Sequence, residues 1–92
     1  MIHETQPEAN IETRRKRLIY RANYRGFKEA DILLGGFAKA YVPTMDAEEL
    51  GLFENLLEET DHNIYDWIKG SKPLPAQFDT PLFARLKNYR PI

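Results

Sequence analysis

The sequence predicts an all-α fold, a small bundle of about five helices in a single domain. Three observations predict it. Apolar residues recur at helical spacing in five segments, residues that commonly cap helices flank several of these segments, and no segment alternates apolar and polar residues as a strand would. A chain of 92 residues suffices for one core but not for two. Where the loops are short, neighbouring helices are expected to be antiparallel.

The first two predicted helices span residues 11–24 and 27–40. Their apolar residues are Ile11, Leu18, Ile19 and Ala22 in the first helix, and Ala30, Leu33, Leu34, Phe37, Ala38 and Tyr41 along the second. We predict that Gly26 ends the first helix, because glycine readily adopts the left-handed conformation. The pair Gly35-Gly36 inside the second helix predicts either a close approach between helices or a kink.

A third helix is predicted over residues 46–59. Asp46 followed three residues later by Glu49 has the spacing of a capping box, in which the two side chains satisfy backbone N–H groups at the helix start. The apolar side is formed by Leu50, Phe53, Leu56 and Leu57.

Two shorter helices complete the predicted bundle. Asp61 is expected to cap the fourth helix and Gly70 to end it. Asp79 or Thr80 is expected to cap the fifth helix, with Pro81 at the favoured first position. The apolar residues are Ile64, Trp67 and Ile68 in the fourth helix, and Leu82, Phe83, Leu86 and Tyr89 in the fifth.

Residues 1–10 are polar and acidic, and we interpret them as a flexible N-terminal tail on a single helical domain over residues 11–92. They lack the apolar core of a secretory signal and the acid-poor composition of a transit peptide. No apolar run approaches the roughly 20 residues of a membrane span. The absence of cysteine excludes disulfides and thiolate zinc sites. We therefore expect a cytoplasmic protein without membrane insertion.

The charged residues are unevenly distributed along the chain. Basic residues concentrate between Arg14 and Lys28, whereas residues 44–66 contain eight acidic residues and no basic one. Either these two parts lie side by side and neutralise each other, or each faces a partner. The cluster Arg14–Arg17 alone is a weak signal for phosphate binding, because the chain has a net charge of −1 and no second dense basic patch. We predict no nucleic-acid partner.

No motif in the sequence predicts catalysis or metal binding. There is no phosphate-binding loop, no nucleophile elbow and no histidine pair at zinc-ligand spacing. His62 is interpreted as a surface or cap residue. The protein is therefore predicted not to be an enzyme and to have no metal site.

The segment Arg25-Gly26-Phe27-Lys28-Glu29 lies between the first two predicted helices. One interpretation is purely structural: Gly26 supplies a tight turn, while Arg25 and Glu29 interact with helix dipoles or with each other. The other is functional, because an arginine, an exposed aromatic ring and a glutamate at an outward corner form a contact patch. The residues alone leave both interpretations open.

This segment resembles the signature Arg-Gly-x-x-Glu of the FAD assembly factors of succinate dehydrogenase, called SdhE in bacteria and succinate dehydrogenase assembly factor 2 in mitochondria. The resemblance covers roughly residues 12–90. It also includes Asp31 after the motif, Leu33-Leu34, the acidic third helix ending Leu56-Leu57-Glu58, and the pair Asp66-Trp67.

The resemblance implies a small helical bundle that binds the flavoprotein subunit of succinate dehydrogenase, and in bacteria also that of fumarate reductase. Such factors promote covalent attachment of FAD to a histidine of that subunit, a step thought to be self-catalysed by the flavoprotein. FAD thus belongs to the client, and direct binding of free FAD stays open. The implied partner-binding residues are Arg25, Gly26, Glu29 and Asp31, and Trp67 is assigned to the core.

The resemblance implies no catalytic residue and no cofactor-binding residue in the assembly factor itself, and we expect a monomer when the protein is free. An alternative is an antitoxin-like protein, since some family members were once described as antitoxins. A small interaction module without a flavoprotein client is the other alternative. A succinate dehydrogenase gene context, as opposed to an adjacent membrane-toxin gene, would separate the first two possibilities.

Overall fold

The computed structural model describes residues 7–90, which form five α-helices and two 3-10 turns. The α-helices are α1 (Pro7–Asn23), α2 (Lys28–Tyr41), α3 (Ala47–Leu56), α4 (Asp61–Lys69) and α5 (Pro81–Asn88). The 3-10 turns are Val42–Thr44, after α2, and Ala76–Phe78, before α5. No strand occurs in these described residues, which confirms the predicted all-α class.

Two helix boundaries differ from the prediction by more than one residue. α1 begins at Pro7, inside the segment interpreted as a tail, and Pro7 occupies the first helical position that proline favours. The rest of the predicted tail, residues 1–6, lies outside the described residues. α3 ends at Leu56 rather than at residue 59, and a turn then leads into α4.

The predicted helix caps are confirmed at three helix ends. Asp46 and Glu49 form both hydrogen bonds of the capping box at the start of α3. Thr80 caps α5 by accepting a hydrogen bond from the Phe83 N–H. Gly70 closes α4 in the left-handed conformation, with φ of 82°.

The predicted cap of α4 is wrong, because Thr60 caps this helix instead of Asp61. The Thr60 hydroxyl accepts a hydrogen bond from the Asn63 N–H at 3.2 Å, and Asp61 is the first residue of the helix. The carboxylate of Asp61 is therefore available for a different contact.

One hydrophobic core lies between the five helices. Phe37 of α2 is fully buried, and its ring contacts the rings of Tyr41, Phe53 and Tyr89 at centroid distances of 4.8–5.8 Å. Trp67 is buried against Phe78, as its assignment to the core predicts. The remaining buried apolar residues are Leu18, Ala22, Ala30, Leu34, Ala38, Val42, Met45, Leu50, Phe53, Leu56, Leu57, Ile64, Leu82, Phe83 and Leu86.

The glycine pair in α2 allows two neighbouring segments to approach closely, which is the first of its two predicted explanations. A Cβ atom on Gly35 would overlap the side-chain amide oxygen of Asn23 in α1. A Cβ atom on Gly36 would lie 2.7 Å from the hydroxyl oxygen of Tyr89. Glycine lowers helix stability relative to alanine, but at both of these positions the packing leaves no room for a Cβ atom.

Burial predicts different effects for two aliphatic residues of α2. Leu34→Ala should lower the free energy of unfolding by about 2–5 kcal/mol, because Leu34 is 1% exposed and truncation leaves a cavity. Ile32→Ala should change it by less than about 1 kcal/mol, since Ile32 is 48% exposed. Urea unfolding followed by circular dichroism measures both. Equal effects would contradict the assignment of core and surface on α2.

Candidate partner-binding surface

Two carboxylates hold the backbone of the α1–α2 corner, residues 24–27. The N–H of Arg25 donates a hydrogen bond to Oδ1 of Asp31 in α2. The next N–H, that of Gly26, donates to Oδ2 of Asp61 in α4. Because consecutive peptide groups are held from two different helices, the conformation of the corner is fixed by tertiary contacts as well as by local turn preference.

The Arg25 side chain points into the fold. Its Nε donates to Oδ1 of Asp61, and its Nη2 donates to the carbonyl oxygens of Leu57 and Glu59 at 3.1 Å each. These carbonyls follow the end of α3, where backbone oxygens lack partners within the helix. The arginine therefore acts as a cap for α3 and connects the α1–α2 corner to the α3–α4 junction.

The contact-patch interpretation of the motif requires an exposed Arg25, and this part of it is wrong, since the Arg25 side chain is only 11% exposed and that of Asp61 17%. Removing one partner of a largely buried ion pair leaves the other charge uncompensated, which costs about 3–5 kcal/mol when burial is complete. We therefore expect Arg25→Ala to destabilise the protein strongly, contrary to the small effect expected for a surface charge.

Gly26 does not adopt the left-handed conformation that the sequence suggested. In residues 7–90, Gly70 is the only glycine with a positive φ. The requirement at Gly26 is steric instead: a Cβ atom there would lie 2.6 Å from Oδ2 of Asp61. The absence of a side chain lets the Asp61 carboxylate reach the backbone N–H.

The four predicted partner-binding residues divide into two pairs. Gly26 and Glu29 are exposed, Glu29 in the first turn of α2. Arg25 and Asp31 are partly buried and make the internal contacts described above. The first pair is accessible at the surface in this conformation, while the internal contacts of the second pair fix the position of the corner that carries it.

The aromatic residue of the motif is half-buried rather than fully exposed. The ring of Phe27 stacks on His62 with a centroid distance of 4.6 Å, and the ring of Tyr65 meets it edge-on at 5.3 Å. His62 is an exposed residue, as its interpretation as a surface residue predicts. Through these ring contacts, the exposed surface of the corner continues onto α4.

Arginines of α1 pair with the acidic part of the chain. Arg14 contacts Glu54 at 2.9 Å and Arg21 contacts Glu58 at 3.0 Å. The hydrogen bonds that the Arg14 guanidinium donates to the Glu54 carboxylate raise the pKa of Arg14. These pairs, together with Arg25, support the interpretation in which the basic and acidic parts of the chain lie side by side.

Asp61 is the residue of this site that the sequence reasoning missed. An aspartate at the start of a helix is explained locally by the helix dipole, so nothing nearby indicated a second function. Its two main partners, Arg25 and Gly26, lie 36 and 35 positions away.

In the described part of the chain no group of three potential metal ligands occurs, and no helix is long and apolar enough to cross a membrane.

Comparison with known proteins shows that this motif lies within a segment that matches a protein family. A family model described as "Flavinator of succinate dehydrogenase" matches residues 16–90, most of the chain. The chain belongs to this family. The match includes the whole Arg-Gly-x-x-Glu segment and confirms the resemblance drawn from the sequence.

Named relatives come from bacteria and mitochondria. The chain is 49% identical over 79 residues to "FAD assembly factor SdhE" of Acetobacter pasteurianus, covering 86% of this chain and 72% of the relative. It is 36% identical over 86 residues to "Succinate dehydrogenase assembly factor 2-A, mitochondrial" of Drosophila mojavensis, covering 91% and 55%. For "Succinate dehydrogenase assembly factor 2, mitochondrial" of Komagataella phaffii the identity is 41% over 80 residues, covering 83% and 42%. The chain thus spans about half the length of these mitochondrial relatives.

The steric account of Gly26 predicts that its substitution depends on Asp61. Gly26→Ala should lower the free energy of unfolding by about 1–3 kcal/mol, because the new methyl group displaces the carboxylate. In an Asp61→Ala background the same change should cost less than about 0.5 kcal/mol, since the carboxylate is then gone and only the Cβ of residue 61 remains, at an ordinary contact distance of 4.0 Å. Urea unfolding of the four proteins measures this difference.

Gly51→Ala is a matched control for this cycle. A Cβ atom on Gly51 meets only Arg14 Nη2, at 3.9 Å, so alanine inside α3 should stabilise by up to about 1 kcal/mol in either background. An equal cost of Gly26→Ala with and without Asp61 would show that glycine is required there for another reason.

Proposed function

We propose that this protein binds the flavoprotein subunit of succinate dehydrogenase and promotes covalent attachment of FAD to it. Family membership and the name of the bacterial relative, an FAD assembly factor, support this function. The observation that carries it is the intact Arg-Gly-x-x-Glu motif at a corner that exposes Gly26 and Glu29. The fumarate reductase flavoprotein is proposed as a second client.

In this proposal the chain contributes binding and no bond-forming group. Arg25, Asp31 and Asp61 fix the backbone of the corner, so that Glu29 is presented from a rigid helix start. Contacts that are stronger with the attachment-competent arrangement of the flavoprotein shift its population toward that arrangement. The flavoprotein then forms its own bond to FAD, and the assembly factor leaves. We propose that this takes place in the cytoplasm and that the free factor is a monomer.

The contribution of the exposed glutamate is tested with Glu29→Ala. This variant should remain folded, because a first-turn glutamate contributes only about 0.3–1 kcal/mol through the helix dipole. Covalent FAD on the flavoprotein subunit should nevertheless fall at least about fivefold, equivalent to about 1 kcal/mol of lost contact. The measurement is in-gel fluorescence of the denatured subunit, produced in cells that lack any other copy of the factor.

Glu48→Ala is the matched control, because Glu48 is also an exposed glutamate in the second position of a helix, α3. It should leave covalent FAD unchanged. Full flavin attachment with folded Glu29→Ala would show that the glutamate makes no essential contact. Failure of the unchanged protein to increase attachment would contradict the proposed function itself.

A further inference from the structure

A shallow groove of about 450 Å³ lies next to the motif, between α2, α4 and the end of α5. Its lining residues are Glu29, Ile32 and Leu33 from α2, Tyr65, Ile68 and Lys69 from α4, and Lys87, Tyr89 and Arg90 at the C-terminal side. We call this feature the α2–α4 groove.

The floor of the α2–α4 groove is aliphatic. The side chain of Ile32 is 48% exposed, and the half-buried Leu33 and Ile68 lie beside it. Isolated exposed apolar residues are common, but here one exposed and two half-buried aliphatic side chains share one concave surface. Such a surface gains free energy when an apolar side chain covers it.

The rim of the groove is positively charged. Lys69, Lys87 and Arg90 carry three positive charges against the single negative charge of Glu29. No ion pair found between described residues involves any of these three cations. The rim therefore has an excess of positive charge, whereas the whole chain has a net charge of −1. It is complementary to carboxylates.

The groove is continuous with the motif surface. Glu29 is the last residue of the motif and also lines the groove. Phe27 of the motif contacts Tyr65, another lining residue, edge-on. A partner held at Gly26 and Glu29 therefore extends directly over the groove.

We propose that the α2–α4 groove receives a segment of the client flavoprotein that carries an apolar side chain flanked by carboxylates. This inference rests on the proposed function, which supplies the client. The aliphatic floor matches an aliphatic side chain better than a flat flavin ring, because the two aromatic rings nearby are already engaged. Tyr65 contacts Phe27 and lies under the Lys69 ammonium group, and Tyr89 packs against Phe37 and Tyr41.

The charge of the rim is tested with the double variant Lys69→Glu/Lys87→Glu. The probe is the purified FAD-free flavoprotein subunit, titrated calorimetrically at low and at high salt. The unchanged protein should bind less tightly as salt increases, since exposed charges are screened. The double variant should bind at least about tenfold more weakly at low salt and should lose most of that salt dependence.

Lys16→Glu/Lys39→Glu is the matched control. Both lysines are exposed and lie outside the groove, and the change in net charge is the same. Affinity should stay within about threefold of the unchanged protein.

The aliphatic floor of the groove is tested separately. Ile32→Ser should weaken binding of the flavoprotein subunit at least about tenfold, whereas Ile32→Leu, which preserves the apolar contact, should stay within about twofold. Circular dichroism confirms that each variant is folded.

The outcomes distinguish a failure of the groove inference from a failure of the proposed function. If the unchanged protein does not bind the flavoprotein subunit, the proposed function is overturned, and the groove inference, which rests on it, is overturned with it. If it binds but the groove variants behave like the control, the groove inference alone is overturned. The groove inference is also overturned if free FAD binds the unchanged protein and not Lys69→Glu/Lys87→Glu, or if the groove variants dissociate a dimer seen by light scattering.

Discussion

The ion pair between Arg25 and Asp61 connects parts of the fold that no helix connects directly. Arg25 lies just after α1, its guanidinium contacts carbonyls after the end of α3, and Asp61 starts α4. The positive side chain thus lies between the negative end of one helix dipole and a carboxylate at the start of the next helix. The second oxygen of Asp61 accepts the Gly26 N–H, so this one carboxylate also fixes the corner from which α2 departs.

This arrangement assigns different physical tasks to the residues of one short motif. Arg25 stabilises the junction from inside, and Gly26 lacks a side chain because a carboxylate lies where that side chain would be. Glu29 faces solvent and remains available to a partner. The structural and functional interpretations of the motif, left open by the sequence, are therefore compatible, because they concern different residues.

Signals within a few positions of each other were sufficient to predict much of the fold. The capping box at Asp46, the glycine end of α4 at Gly70 and the threonine–proline start of α5 all involve neighbouring residues, and the structure contains each of them. The start of α1 was missed because residues 7–10 carry no apolar stripe, although Pro7 is well suited to a first helical position.

The candidate site was only partly predictable, since its decisive contacts join residues more than 30 positions apart. An arginine beside a glycine at a helix end suits an exposed corner as well as a buried ion pair, and only the position of Asp61 distinguishes the two. A glycine can likewise be required by its φ or by a close neighbour, and the sequence does not distinguish these causes. The α2–α4 groove depends on three separate segments meeting, for which no local pattern exists.

The most direct test of this account is a double-mutant cycle between Arg25 and Asp61, measured by urea unfolding of the unchanged protein, Arg25→Ala, Asp61→Ala and the double variant. The pair is largely buried, so each single change should destabilise by about 3 kcal/mol. The double variant should be no more than about 1–2 kcal/mol worse than either single one, giving a coupling energy of at least about 1 kcal/mol. Additive effects, with a coupling energy below about 0.5 kcal/mol, would contradict the claim that this ion pair holds the motif corner in place.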